Sequence, residues 1–388
     1  MKYIPLSVPN FIGNEEKYVL DAIKSAWVST GGSYIAKFEE EIAKYLNIQK
    51  AVAVQSGTAG IHLGLKLLGI KPGDEVIVPT LTFIAAVNPV KYLYADPVFM
   101  DCDDSLNMDM NKLETFLKKE CELTKEGPKN KTTGKIIKAI VIVHVFGNMA
   151  DMESLMYIAK KYSLKVLEDA TEALGTKYVS GKYKEKFAGT IGDVGVYSFN
   201  GNKIITTGGG GMLVAKDLES VKNAKYLSTQ AKDDALYYIH NKIGYNYRMT
   251  NLQAALGVAQ LEQLERFIEI KTKNYELYKK LISKIEGLKL LNFGENTRPN
   301  YWFYSLFIKS DKISRDSLLK ELKKEGIETR PIWYLNHLQK PFKNNYAYKI
   351  EKAKYYWERV LNIPCSTNLT EDDVRYVSEK IKEILKRG

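Results

Sequence analysis

Ala51-Val52-Ala53-Val54-Gln55-Ser56-Gly57-Thr58-Ala59-Gly60-Ile61-His62-Leu63-Gly64-Leu65 runs from a short apolar strand straight into a helix. The strand is expected over Ala51 to Gln55 and the helix from about Thr58 to Leu68. The pattern then repeats. Glu75 to Pro79 reads as strand, Phe83 to Tyr94 as helix and Pro97 to Cys102 as strand. Further on, Ile136 to His144 is a strongly β-branched strand and Met152 to Tyr162 a helix. Lys165 to Glu168, Val194 to Phe199 and Met212 to Ala215 are strands. Apolar strands alternating with amphipathic helices predict an α/β fold with a mainly parallel central sheet covered on both faces.

Before this region lie a helix over Asn14 to Ala26 and a turn at Trp27 to Gly32. Cys121 to Lys135 is rich in Lys, Thr and Gly and reads as a surface insertion. After Asn251 a helical pattern runs to about Ile285, leading from a large domain (residues 1–250) into a smaller one (251–388). In that tail Trp302 to Lys309, Glu328 to Ile332 and Leu361 to Ile363 read as strands, and Ser314 to Glu325 and Glu371 to Lys386 as helices. The tail is therefore expected to be a smaller C-terminal α+β domain.

The 388 residues are too many for one small core, and 45% hydrophobic content provides ample material to bury. No run of about 18 apolar residues predicts a membrane span, and the opening residues lack the pattern of a signal peptide. Three cysteines stand singly, which argues against a metal site or a disulfide framework and points to the reducing cytoplasm. The net charge of +11 raises the question of an anionic partner. Lysines and acids alternate along helices such as Lys320-Glu321-Leu322-Lys323-Lys324-Glu325, so most of that charge reads as solvated surface. A DNA-binding regulator would more often carry a basic stripe beside a helix-turn-helix, and neither is evident.

Three segments carry candidate chemistry. Gln55 to Gly60 lies between strand and helix. Gly57 permits a tight turn, and the helix start offers free N–H groups and a positive dipole end that suit a phosphate. It also reads as an ordinary turn capped by Thr58. Val166 to Glu172 brings acids to the carboxyl end of an apolar strand, where open α/β sheets bind ligands. A carboxylate there can keep a pyridinium nitrogen protonated, or Asp169 can simply cap a helix. Tyr197 to Lys203 places a lysine after another apolar strand, followed by Gly208 to Gly211. Such a lysine can form a Schiff base when its surroundings lower its pKa. Alone it is also one more surface lysine.

Taken together and in this order, these segments resemble the fold-type-I aminotransferases, and within them the DegT/DnrJ/StrS sugar aminotransferase family. The resemblance runs from Leu6-Ser7-Val8-Pro9-Asn10 to Asn362-Ile363-Pro364. It implies pyridoxal 5'-phosphate as cofactor and no metal. It assigns Gly57, Thr58 and Ser198 to the cofactor phosphate, and Phe83 to stacking on the ring. Asp169 falls on the pyridine nitrogen, Glu172 near the phenolic oxygen and Lys203 at the covalent bond. Asn246, within Gly244 to Met249, matches a stretch that reaches the neighbouring subunit's cofactor, so the resemblance implies a homodimer with shared sites. Gly209 departs from the pattern, since many relatives carry Glu there.

Asn200 to Thr207, Gly147-Asn148 and Glu328 to Trp333 look most like a subgroup that makes 4-amino-4,6-dideoxy-N-acetylglucosamine nucleotides for bacillosamine or legionaminic acid. The expected reaction moves an amino group from glutamate to carbon 4 of a nucleotide-linked 4-keto-6-deoxy-N-acetylhexosamine. Arg248 and Arg330 are candidates for its diphosphate. A sugar dehydratase on the same fold would replace the lysine with histidine, and Lys203 argues against it.

Overall fold

The computed structural model describes residues 2–309 and 313–387. Its centre is an eight-stranded sheet. Across it lie Ala51–Val54, Gly211–Ala215, Val194–Ser198, Lys165–Asp169, Ile137–Val143, Glu75–Pro79, Asp96–Met100 and Ala347–Tyr348. Gly211–Ala215 is antiparallel to both its neighbours; every other pairing is parallel. The strands are apolar and almost wholly buried because helices cover both faces. This is the architecture of the fold-type-I aminotransferases.

A second, four-stranded antiparallel sheet follows in the order Leu288–Leu290, Tyr304–Ile308, Val360–Ile363, Arg330–Pro331. The helices Leu264–Ile282, Arg315–Lys324 and Glu371–Arg387 contribute side chains to its core. Two exchanges tie the sheets together. Ile4, near the chain start, bridges Ile327 and shares the second core. Ala347–Tyr348, from the far half of the chain, extends the large sheet beside Asp96–Met100.

Several expectations need correction. The stretch Phe83 to Tyr94 is not one helix. Phe83 is extended, a 3-10 turn spans Ile84–Ala86, and a new short helix covers Asn88–Tyr92. Pro89 has no N–H to donate, which is tolerated in a first turn but not in a helix interior. Cys121 to Lys135, expected as a surface insertion, has regular structure of its own. It holds the hairpin Cys121–Thr124 with Gly127–Asn130, and buried Asn130 donates to Glu75 Oε2 at 3.0 Å. The helix after Asn251 is two, Asn251–Leu261 and Leu264–Ile282. Helices over Ser33–Tyr45, Met110–Lys119 and Leu218–Ser228 add to those expected. Gly57 is needed for close packing rather than for a turn. A Cβ there would lie 3.0 Å from Ser198 Cβ and Thr171 Cγ2, and its φ is not among the positive ones.

Candidate active site

At the carboxyl ends of the parallel strands lies a cavity of about 450 Å³. It is lined by Gly57, Thr58, Phe83, Asp169, Glu172, Ser198, Lys203 and Arg330, all expected from the sequence. Asn246 and Arg248 lie elsewhere. Asn246 is exposed and bridges Thr229, while Arg248 bonds Asn246 Oδ1 at 3.2 Å and Gln230 Oε1 at 3.3 Å.

The helix Gly57–Leu67 starts at the cavity. Ser56 caps it by accepting from the Ala59 amide at 3.1 Å. That leaves the first amides of the helix, on Gly57 and Thr58, without helical acceptors and facing the cavity. Gly211 makes the close approach possible. A Cβ there would sit 2.7 to 2.8 Å from the Ser56–Gly57 peptide. Gly209, by contrast, has open space, with Gln253 Nε2 the nearest side-chain atom at 3.8 Å. An acid at that position would meet no clash, so its absence is not forced by packing.

The strand Lys165–Asp169 ends in two acids that alternate in direction. Glu168 turns into the protein and accepts from Gly189 N at 2.8 Å, Ile191 N at 2.6 Å and Gly192 N. It also takes His144 Nε2 at 3.0 Å, since His144 Nδ1 accepts from Ala150 N. Glu168 is thus a fastener. Asp169 turns into the cavity, 4% exposed, and accepts from the Thr171 amide at 3.1 Å. Burial raises its pKa, against the Thr171 bonds and the Lys203 charge.

Glu172 is also buried. Burial pushes its carboxyl up to about 7, while the Lys203 charge pulls the other way. Its Oε2 accepts from Phe146 N at 2.8 Å, and Oε1 lies 3.8 Å from Lys203 Nζ. Phe146 holds φ +57°, a costly conformation for an aromatic residue, which aims that amide at the carboxylate. The Lys203 side chain keeps only 13% of its surface exposed, and desolvation lowers its pKa, opposed by Glu172 and Asp169. The amine and the carboxyl are therefore both drawn toward neutrality, which suits proton transfer near neutral pH.

Phe83 lines the cavity beside this group and leaves 55% of its surface open. Arg330, 70% exposed along its side chain, lies 3.4 Å from Glu328. Sequence reasoning missed Ser7, Trp302, Phe303 and Trp333, which also line the cavity. Trp333 stands in the Glu328 to Trp333 stretch and Ser7 in the Leu6 to Asn10 opening, both already singled out; Trp302 and Phe303 open the strand read over Trp302 to Lys309, where nothing local marks them as facing the site. Of the three subgroup stretches, two line the cavity. Gly147-Asn148 does not; Asn148 instead holds Gly294 N at 3.1 Å and Ser105 O at 3.2 Å.

The fold and the site define an aminotransferase, and the chain belongs to the DegT/DnrJ/EryC1/StrS aminotransferase family, whose model matches residues 10–382. It is a pyridoxal-phosphate-dependent aminotransferase. It is 38% identical over 384 residues to a GDP-perosamine synthase of Escherichia coli O157:H7, covering 99% of each chain. It is 36% identical to the putative pyridoxal phosphate-dependent aminotransferase EpsN of Bacillus subtilis strain 168, covering 97% of this chain and 95% of the relative. Among solved structures, an aminotransferase from Psychrobacter cryohalolentis superposes with a TM-score of 0.87 at 28% identity, covering 99% of each chain. Among the described residues no helix is long and apolar enough to cross a membrane.

Proposed function

We propose that this cavity transfers an amino group from glutamate to carbon 4 of a nucleotide-linked 4-keto-6-deoxy-N-acetylhexosamine, giving a 4-amino-4,6-dideoxy sugar nucleotide. The observation that carries the reading is the convergence of Lys203, Glu172 and Asp169 on the free amides of the helix Gly57–Leu67. Two of the stretches shared with the N-acetyl subgroup, Asn200 to Thr207 and Glu328 to Trp333, border the same space.

The residues present fit the cofactor. A Cβ at Gly57 would press on Ser198 and Thr171 and narrow the space before the helix start, and Phe83 offers an open aromatic face. The Gly57 and Thr58 amides and the Ser198 hydroxyl would take the phosphate. Phe83 would stack on the ring, Asp169 would pair with its nitrogen and Glu172 would approach its phenolic oxygen. Lys203 would carry the covalent bond. When bound there, pyridoxal phosphate supplies an electron sink for the carbon that loses a proton. Asp169 would supply the negative charge that favours the pyridinium. Lys203 Nζ would move the proton between the donor's α-carbon and the cofactor. Arg330 would meet the substrate diphosphate, because its planar fork suits phosphate oxygens. Arg248 and Asn246 would act in a neighbouring subunit of a homodimer, since neither enters the cavity of its own chain.

A second reading concerns the nucleotide. Three relatives, 38%, 34% and 37% identical, are named GDP-perosamine synthases, which favours a GDP-linked sugar. Offering UDP- and GDP-linked 4-keto-6-deoxy sugars, with and without the N-acetyl group, at saturating glutamate separates the two by product mass. The first reading expects amination of the N-acetyl sugar and leaves the nucleotide open. Turnover confined to GDP-linked sugars would establish the second. Equal specificity constants for a free and a nucleotide-linked sugar would overturn both.

A further inference from the structure

Lys203 Nζ lies 4.0 Å above the centroid of the Trp302 ring. Among the described residues this is the shortest contact between a cation and a ring; the next is 4.4 Å, at Arg359 and Tyr355. It is also a buried one, with Trp302 3% exposed. The indole is held on every side. Its Nε1 donates to Asn202 O at 2.7 Å, one residue from Lys203. Its backbone amide donates to Asn300 Oδ1 at 3.0 Å, and its carbonyl accepts from Lys271 Nζ at 3.0 Å. Phe303 stacks on it at 4.0 Å with 12° between planes. Lys271 is itself buried and, among the described residues, has no carboxylate partner; it also donates to Cys365 O at 2.5 Å. Burying a lysine to fix one loop is costly, and the loop it fixes is the one that places this ring.

We propose that Trp302 is a positioning residue for the proton-carrying amine of Lys203, its indole face receiving the ammonium form of Nζ. The inference rests on Lys203 being the amine that moves the proton. Two carboxylates face the same nitrogen, Glu172 at 3.8 Å and Asp169; Glu328 and Arg330 lie farther across the cavity. A carboxylate attracts an ammonium but can also take its proton. An indole face attracts the charge and has no site to accept the proton. The ring thus stabilises the ammonium without competing for what Lys203 must hand back. Because Nε1 is tied to Asn202 O, the ring and the lysine backbone move together, which keeps the amine at one point.

The test compares wild type, Trp302→Phe and Trp302→Leu. In the cofactor-free full-length protein, Lys203 is labelled with acetic anhydride across a pH series and read by peptide mass spectrometry. Removing the ring face removes a contact that favours the charged form. The Leu variant should therefore show about tenfold more reactive amine at a given pH below its titration, and the Phe variant about threefold, the range of a desolvated cation–π contact. In the loaded enzyme, α-deuterated glutamate should give a larger isotope effect on kcat in the Leu variant, with the KM for glutamate unchanged. Labelling curves that coincide for all three proteins overturn the proposal, as do equal shifts for Phe and Leu, because the ring face would then not matter. If Trp302→Leu fails to fold, the Phe shift alone decides. A Lys203→Ala chain that still transaminates would instead sink the functional reading, and the labelling result would stand apart from it.

Discussion

Glu168 and Asp169 are adjacent acids of one strand, yet the structure gives them opposite work, and exchanging each for its amide should separate stability from turnover. In Glu168→Gln the new side chain has one accepting oxygen and one NH₂. Wild-type Glu168 serves four donors: Gly189 N and His144 Nε2 on Oε2, and Ile191 N and Gly192 N on Oε1. Whichever way the amide turns, two buried donors face an NH₂. His144 cannot relieve this by changing tautomer, because its Nδ1 already accepts from Ala150 N. At about 1–3 kcal/mol for each unsatisfied buried donor, the variant loses about 2–6 kcal/mol, a large share of a typical 5–15 kcal/mol. Asp169→Asn keeps an oxygen for the Thr171 amide. It should lose about 1 kcal/mol or less of stability, but roughly 10²-fold in turnover, as when one electrostatic group is removed from a site. Urea unfolding of the cofactor-free chain, followed by tryptophan fluorescence at fixed concentration, gives the midpoints; equal slopes show that the unfolded states match. The reasoning fails if Glu168→Gln unfolds at the wild-type midpoint, or if Asp169→Asn falls as far as Glu168→Gln.

Gly57→Ala should weaken cofactor binding about tenfold, since its Cβ would press within 3.0 Å of Ser198 and Thr171 beside the expected phosphate position; an absorbance titration of the cofactor reads it. The Glu172 carboxyl is raised in the folded chain from 4.5 to about 7. Its contribution to stability is therefore full below about 4.5 and is lost as the pH rises through about 7, a downward swing in stability. In the cofactor-free protein, Glu172→Gln should remove that swing, and a wild-type minus variant difference that stays flat from pH 4.5 to 8 speaks against it. A Lys203→Ala chain mixed with an Asn246→Ala chain should regain partial activity, because one hybrid site keeps both residues. No recovery after proven subunit exchange would count against shared sites.

Much of the fold was legible because the parallel strands are buried on both faces and read as unbroken apolar runs, Ile137–Val143 most clearly. What stayed hidden depends on contacts between distant segments. The helical pattern of Phe83 to Tyr94 shows no break by periodicity, and only the extended Phe83 and the restart at Pro89 reveal it. The tail pattern likewise concealed how the chain ends cross, with Ile4 joining the second core and Ala347–Tyr348 the first sheet. In the site, Lys203 resembles any other lysine until the strand before it, Val194–Ser198, is placed beside the one that ends in Asp169. Period-two alternation says that Glu168 and Asp169 point oppositely, but not which one meets the cavity. Trp302 lies 99 positions beyond Lys203 in the chain, so no local pattern links the two.

The account stands most directly on Lys203. Reducing the purified, cofactor-loaded protein with borohydride and mapping its peptides should place one reduced pyridoxyl-phosphate mass on the peptide containing Lys203, with loss of the yellow colour. Prior incubation with glutamate should release one 2-oxoglutarate per chain and abolish the labelling. A label on any other lysine, or none on a protein that still aminates the sugar nucleotide, would contradict it.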